Sequence, residues 1–134
     1  MSTRPPRIFI DATDCSVKAE VHRLAARHGM RVALVSESDL GAPFEPWLTK
    51  VVTGPGAVAA TILAEASARD IIITENADLA SQMLEKNIRT LNSRGQRYTP
   101  DGLFPPLRDK SRGNYRARFL SVLEDEITGL LSGL

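Results

Sequence analysis

Two short apolar runs, Ile8-Phe9-Ile10 and Ile71-Ile72-Ile73, each pass directly into polar and acidic residues that read as the mouth of a helix. The first is followed by Asp11-Ala12-Thr13-Asp14 and the second by Thr74-Glu75-Asn76-Ala77-Asp78. A continuous apolar run of this length suits a strand buried on both faces, which a parallel sheet covered by helices provides. In open α/β sheets, ligands bind beyond the carboxyl ends of the strands, where the strand order reverses. If the two strands are neighbours, Asp11, Asp14, Asn76 and Asp78 gather around one crevice.

The rest of the chain continues the alternation. Val17, Val21, Leu24 and Ala25 recur at helical spacing up to Gly29, a natural helix terminator. Met30 to Val35 reads as a second strand, 39–46 as a Pro- and Gly-containing loop, and Trp47 to Thr53 as a short edge strand. Gly54-Pro55-Gly56 turns into a helix from Ala57 to Ala68. Asn76 is positioned to cap a helix carrying Leu79, Met83 and Leu84. Ile88 to Leu91 is a fifth strand, followed by a turn at Asn92-Ser93-Arg94-Gly95, and residues 96–114 read as irregular. A last helix from Tyr115 carries Phe119, Leu120, Leu123, Ile127 and Leu130 in a stripe. Strands alternating with helices imply a parallel sheet with right-handed crossovers. Residues 1–6 read as a disordered tail and 7–134 as one domain.

A formal net charge of +1 over 134 residues argues against binding polyanions through bulk charge. The average conceals an asymmetry, because eight basic residues and two acids lie between Ile88 and Arg118. A basic segment beside an acidic remainder is what a metal site next to a phosphate-contacting surface looks like, and equally what arginines on a solvated loop and helix face look like. The single cysteine, Cys15, excludes an internal disulfide framework and suits a reducing compartment. No apolar run reaches membrane-spanning length and the first residues lack a signal-peptide core, so a cytoplasmic protein that does not engage membranes is expected.

Several blocks together carry a resemblance: Ile8-Phe9-Ile10-Asp11-Ala12, Cys15 with Val17-Lys18-Ala19-Glu20-Val21, Asp70 to Thr74, Leu79-Ala80, Leu91-Asn92 with Arg94-Gly95 and Tyr98, and Arg118-Phe119-Leu120. In order and spacing the chain resembles the YaiI/YqxD family of bacterial proteins, whose domain is PIN-like. The resemblance implies a three-layer α/β fold with a parallel five-stranded sheet in the order 3-2-1-4-5, flanked by helices. It also implies a divalent-metal-dependent nuclease-type activity, here RNA phosphodiester hydrolysis with Mg2+ or Mn2+. Members of the family usually read Asp-Ala-Asp-Ala-Cys-Pro after the first strand, whereas this chain has Thr13 for the second Asp, Ser16 for the Pro, and an additional Asp14. After the fourth strand they usually read Thr-x-Asp-Ile-Pro-Leu-Ala, and here Asn76 and Asp78 replace the Asp and the Pro. Acids common after the Gly54-Pro55 turn are replaced by Gly56, Ala59, Ala60 and Thr61. Only Asp11 carries over cleanly.

On this reading the catalytic candidates are Asp11, Asp14, Asn76 and Asp78, and the metal ligands Asp11, Asp14 and Asp78. Lys18, Arg94, Arg112 and Arg116 are the candidates for holding RNA or another single-stranded nucleic acid. Paired-metal hydrolysis needs several converging carboxylates, and one Asp does not suffice. Asp14 and Asp78 are shifted from the family positions, and one residue along a helix swings a side chain by about 100°. Glu37 and Glu75 are further candidates. Equally, Asp14, Glu75 and Asp78 suit helix N-termini on electrostatic grounds alone.

Cys15 lacks an Arg at the spacing of a phosphatase loop, since position 21 is Val, and reads as a small buried thiol. His22 and His28 share no helix face well, and Gly54-Pro55-Gly56 lacks the Lys-Ser/Thr of a phosphate loop. Three alternatives stand: a nuclease with an altered or weakened carboxylate site, a non-catalytic module that binds RNA or a protein, and a phosphoacceptor domain. The last needs a Lys after the fifth strand, which Leu91-Asn92-Ser93 does not offer. The sequence leaves a homo-oligomer open.

Overall fold

The apolar runs become strands and the periodic segments helices in the computed structural model, which describes residues 5–12, 17–38, 47–104 and 115–132. The elements are β1 (Arg7–Asp11), α1 (Lys18–His28), β2 (Arg31–Ser36), β3 (Leu48–Val52), α2 (Val58–Glu65), β4 (Ile71–Ile73), α3 (Ala77–Glu85), β5 (Arg89–Leu91), β6 (Arg97–Thr99), β7 (Gly102–Phe104) and α4 (Tyr115–Ser132). One sheet runs in the order β3-β2-β1-β4-β5-β6-β7. The first five strands pair in parallel, and β1 and β4, the two apolar runs, are neighbours with Ile10 opposite Ile73.

The sheet therefore has seven strands, not five, and is parallel only in part. The correction lies in residues 97–104, expected to be irregular, which form an antiparallel hairpin against β5. The Pro and Gly content that suggested a loop in fact builds the hairpin's turn at Pro100-Asp101-Gly102. Thr99 Oγ1 accepts the Asp101 N–H at 3.2 Å and donates to the Gly102 carbonyl at 2.7 Å. Strands of three residues give too short an alternation to be read from sequence.

Side chains alternate across each strand, so the sheet has two apolar faces. Ile8, Ile10, Val32, Leu34, Ile71 and Ile73 pack against Val21 and Leu24 of α1 and Phe119, Leu123 and Ile127 of α4. Phe9, Ala33, Val35 and Ile72 pack against Val58 and Ile62 of α2 and Leu79 and Met83 of α3. Burying each such side chain contributes roughly 1.5–3 kcal/mol relative to leaving it in water, which is why the helices settle as a pair on either face. Gly29 ends α1 in the left-handed conformation, at φ 66°. Glu126 ties α4 to β5 and β6, with Arg89 Nη1 at 2.6 Å and Arg97 Nε at 2.5 Å from its two oxygens. Burial pushes the Glu126 carboxyl up, but the two guanidinium groups outweigh it and hold it below the usual range.

At the amino end of β4 the fully buried Asp70 accepts the Arg7 N–H at 3.0 Å, the Ser67 N–H at 2.8 Å and the Ser67 hydroxyl at 3.3 Å. Its carboxylate thus joins the α2–β4 connection to the start of β1. Asp70→Ala leaves partly buried donors without their acceptor and is expected to destabilise the fold by about 2 kcal/mol, measured by urea unfolding. A loss below about 1 kcal/mol would mean that water replaces the carboxylate and that the clamp is dispensable.

Candidate functional site

Beyond the Ile10–Ile73 pair, Asp11 and Thr74 meet at the carboxyl edge of the sheet. Asp11 is buried, and its Oδ2 accepts the Thr74 hydroxyl at 2.7 Å. The Thr74 Oγ1 in turn accepts the Asn76 N–H at 2.9 Å, and the Thr74 carbonyl accepts the Tyr98 hydroxyl at 3.0 Å. Asp11, at the end of β1, and Asn76, the N-cap of the helix that follows β4, are therefore joined through one threonine. The Asn76 carboxamide oxygen is committed to α3, accepting the N–H groups of Asp78 at 3.0 Å and Leu79 at 3.2 Å. This is the N-cap read from the sequence. Asp78 sits exposed in the first turn of that helix, a position favoured for an acid by the helix dipole alone.

The further acids brace loops. Glu75 accepts the Ser93 N–H at 3.1 Å and the Ser93 hydroxyl at 2.5 Å, joining the end of β4 to the turn after β5. Glu37 accepts the Gly56 N–H at 2.5 Å, holding the Gly54-Pro55-Gly56 turn. Among the described residues, no three His, Cys, Asp or Glu side chains converge so as to hold a metal ion. Of the three proposed ligands, Asp11 and Asp78 are described and Asp14 lies outside the described residues, as do Cys15, Arg108, Lys110 and Arg112. A divalent cation wants about six hard oxygen donors, several of them charged. The described residues supply one buried carboxylate at the strand ends, so they do not by themselves fit such an ion.

The basic candidates lie on segments that leave the strand ends and on the start of α4. Lys18 is half-buried at the start of α1, the helix that follows β1. Arg94 lies exposed in the turn after β5, its guanidinium 5.7 Å from the centre of the Tyr115 ring. Arg116 is exposed at the start of α4, with Nε 3.6 Å from Glu20 on the first turn of α1. The histidines lie elsewhere. His22 meets Trp47 edge-on at 5.2 Å, and His28 Nε2 is 3.3 Å from Glu124.

Thr74, Ser93 and Tyr98 join the site without having been assigned a role from sequence. Tyr98 is carried by β6, a strand that the residue pattern did not reveal. Its hydroxyl is pushed up to about 12, first by burial and then by the negative charges of Glu75 and Asp11. Because the folded protein favours the protonated phenol, that contribution to stability is complete below pH 10 and is lost as the pH rises towards 12. An absorbance titration should show a tyrosinate step displaced to about pH 12, which Tyr98→Phe should remove. Persistence of that late step in Tyr98→Phe would mean that Tyr98 is not the tyrosine facing the acids.

Residues 9–111 match the family model described as "Uncharacterized BCR, YaiI/YqxD family". The chain belongs to the YaiI/YqxD family. Its relatives include a UPF0178 protein of Parvibaculum lavamentivorans, 33% identical over 92% of this chain and 94% of the relative. A UPF0178 protein of Rhodopseudomonas palustris strain BisB18 is 34% identical over 71% of this chain. One from Sphingopyxis alaskensis is 36% identical over 76% of it. The chain spans 63% of the length of the Rhodopseudomonas relative and 68% of the Sphingopyxis one. The YaiI/YqxD match takes in β1 from Phe9, β4 and the turn at Asn92, and so includes Asp11, Thr74, Asn76 and Tyr98. No helix among the described residues is long and apolar enough to cross a membrane.

Proposed function

We propose that the chain is a PIN-like cytoplasmic module that engages single-stranded RNA at the carboxyl edge of its sheet, and that it holds Mg2+ or Mn2+ there weakly, so that phosphodiester hydrolysis is slow or absent. The observation that carries this reading is the buried Asp11 at the junction of β1 and β4, bonded to Thr74, with Lys18 at the start of the helix that follows β1, Arg94 in the turn that follows β5, and Arg116 beside Glu20 on the first turn of α1. Cations on the segments that leave the strand ends, with a recessed acid at a strand-order reversal, suit a phosphodiester backbone, since arginine and lysine meet the phosphates. The capping role of Asn76 favours the non-catalytic form of this reading, because the carboxamide serves the helix and brings no negative charge.

Filter binding of a single-stranded RNA at several salt concentrations tests it. Each phosphate neutralised releases counterion, so affinity should fall with a slope near −0.7 per contact in log–log form, and Arg116→Gln should flatten the slope by about that amount. Absence of binding at low salt would leave these cations as ordinary solvated surface and overturn the reading.

A further inference from the structure

The turn after β5 is built more rigidly than a connection requires, and it presents a cation within reach of an aromatic ring. Asn92 Oδ1 accepts the N–H groups of Arg94 and Gln96, both at 3.0 Å, while its Nδ2 donates to Gln96 Oε1 at 2.9 Å inside the protein. Gly95 lies so close to α4 that a Cβ there would fall 2.8 Å from the Phe119 nitrogen. The turn is thus fixed on both sides, and the backbone of Arg94 with it. The Arg94 side chain is nevertheless exposed, with its guanidinium over the half-buried ring of Tyr115.

An exposed guanidinium beside a ring offers a planar surface to solvent, and unpaired nucleic-acid bases stack on arginine planes and aromatic faces. The next turn of α4 supplies a second sign of a missing ligand. Nη1 of Arg118 is buried, with no hydrogen-bond partner among the described residues. A buried cationic donor calls for an acceptor, and an anionic phosphate oxygen is the strongest available.

We infer that Arg94 on Tyr115, with Arg118 beside the Gly95 turn, forms a nucleotide subsite that stacks an unpaired base and takes a phosphate of the same strand. The subsite rests on the RNA-binding reading above and makes it selective for single strands, because bases in a duplex have no free face to offer. Its position links it to the crevice, since Ser93 of the same turn holds Glu75, the residue after Thr74.

Fluorescence anisotropy with a labelled single-stranded oligoribonucleotide, and with a hairpin of matching length, tests the inference. Arg94→Lys keeps the charge and removes the plane. It should weaken single-strand binding by roughly five- to tenfold with little change in the salt slope, the scale of one lost base stack. Tyr115→Leu should weaken it similarly, with the double variant little worse than either alone. The hairpin should bind more weakly than the single strand to the unmodified protein and respond to neither substitution. Arg94→Lys is an exposed change, so it remains informative if Tyr115→Leu disturbs α4. If Arg94→Lys binds the single strand like the unmodified protein while Arg116→Gln still flattens the salt slope, the subsite is refuted and backbone binding stands. If the unmodified protein binds no RNA, both fall.

Discussion

Gly95→Ala is expected to destabilise the protein by about 3 kcal/mol and lower its melting temperature by on the order of 10 °C. The residue has φ 79°, a conformation that costs an L side chain about 1 kcal/mol. The methyl group would also lie 2.8 Å from Arg118 Cγ, 2.8 Å from the Phe119 nitrogen and 2.9 Å from the Arg118 carbonyl carbon. Two of those three atoms are helix backbone and cannot rotate away, so the turn and α4 must separate, at a cost of roughly 1–3 kcal/mol. Gly29 provides the comparison: its φ is 66°, but nothing lies within 4 Å of an added Cβ. Gly29→Ala should therefore lose only the conformational part, about 1 kcal/mol. Thermal unfolding followed by circular dichroism compares the two. Equal losses would show that the contact with α4 is loose, and would remove the rigidity on which the Arg94 subsite depends.

How much of this was legible in the sequence depended on how long each signal ran. Ile8-Phe9-Ile10 and Ile71-Ile72-Ile73 are unbroken apolar runs, and the structure pairs them side by side as buried parallel strands. Gly29 and Asn76 act through the backbone geometry their residue types favour, so the end of α1 and the start of α3 could be read directly. The β6–β7 hairpin could not be read, because two three-residue strands joined through Pro100 and Gly102 have the composition of a loop.

The same limit hid Tyr98, whose place beside Thr74 depends on a pairing between distant strands. At the site, residue type alone did not distinguish an acid that faces a ligand from one that braces a loop. Glu37 and Glu75 were plausible ligands by position, and their hydrogen bonds to Gly56 and Ser93 commit them to holding turns. Asp11 was found because it follows a buried strand, a position set by topology rather than by local pattern.

Metal affinity at the strand ends should be weak in this chain and recoverable by restoring charge. Asn76→Asp preserves the helix cap, since asparagine and aspartate cap about equally well, and it adds a carboxylate near the Asp11–Thr74 bond. Thr13→Asp places a second acid two residues after Asp11 in sequence. Because charge count largely sets the affinity of an oxygen site for a divalent ion, the double variant should bind Mn2+ at least about tenfold more tightly than the unmodified protein, whose dissociation constant should be on the order of 1 mM. Any gain in RNA hydrolysis should accompany that tightening. Calorimetric titration of Mn2+ into both forms is the most direct measurement of whether this crevice is a depleted metal site. Weak binding that tightens in the double variant is the predicted result; tight binding by the unmodified protein, abolished by Asp14→Asn or Asp78→Asn, would show instead that the acids have been relocated and the site is intact.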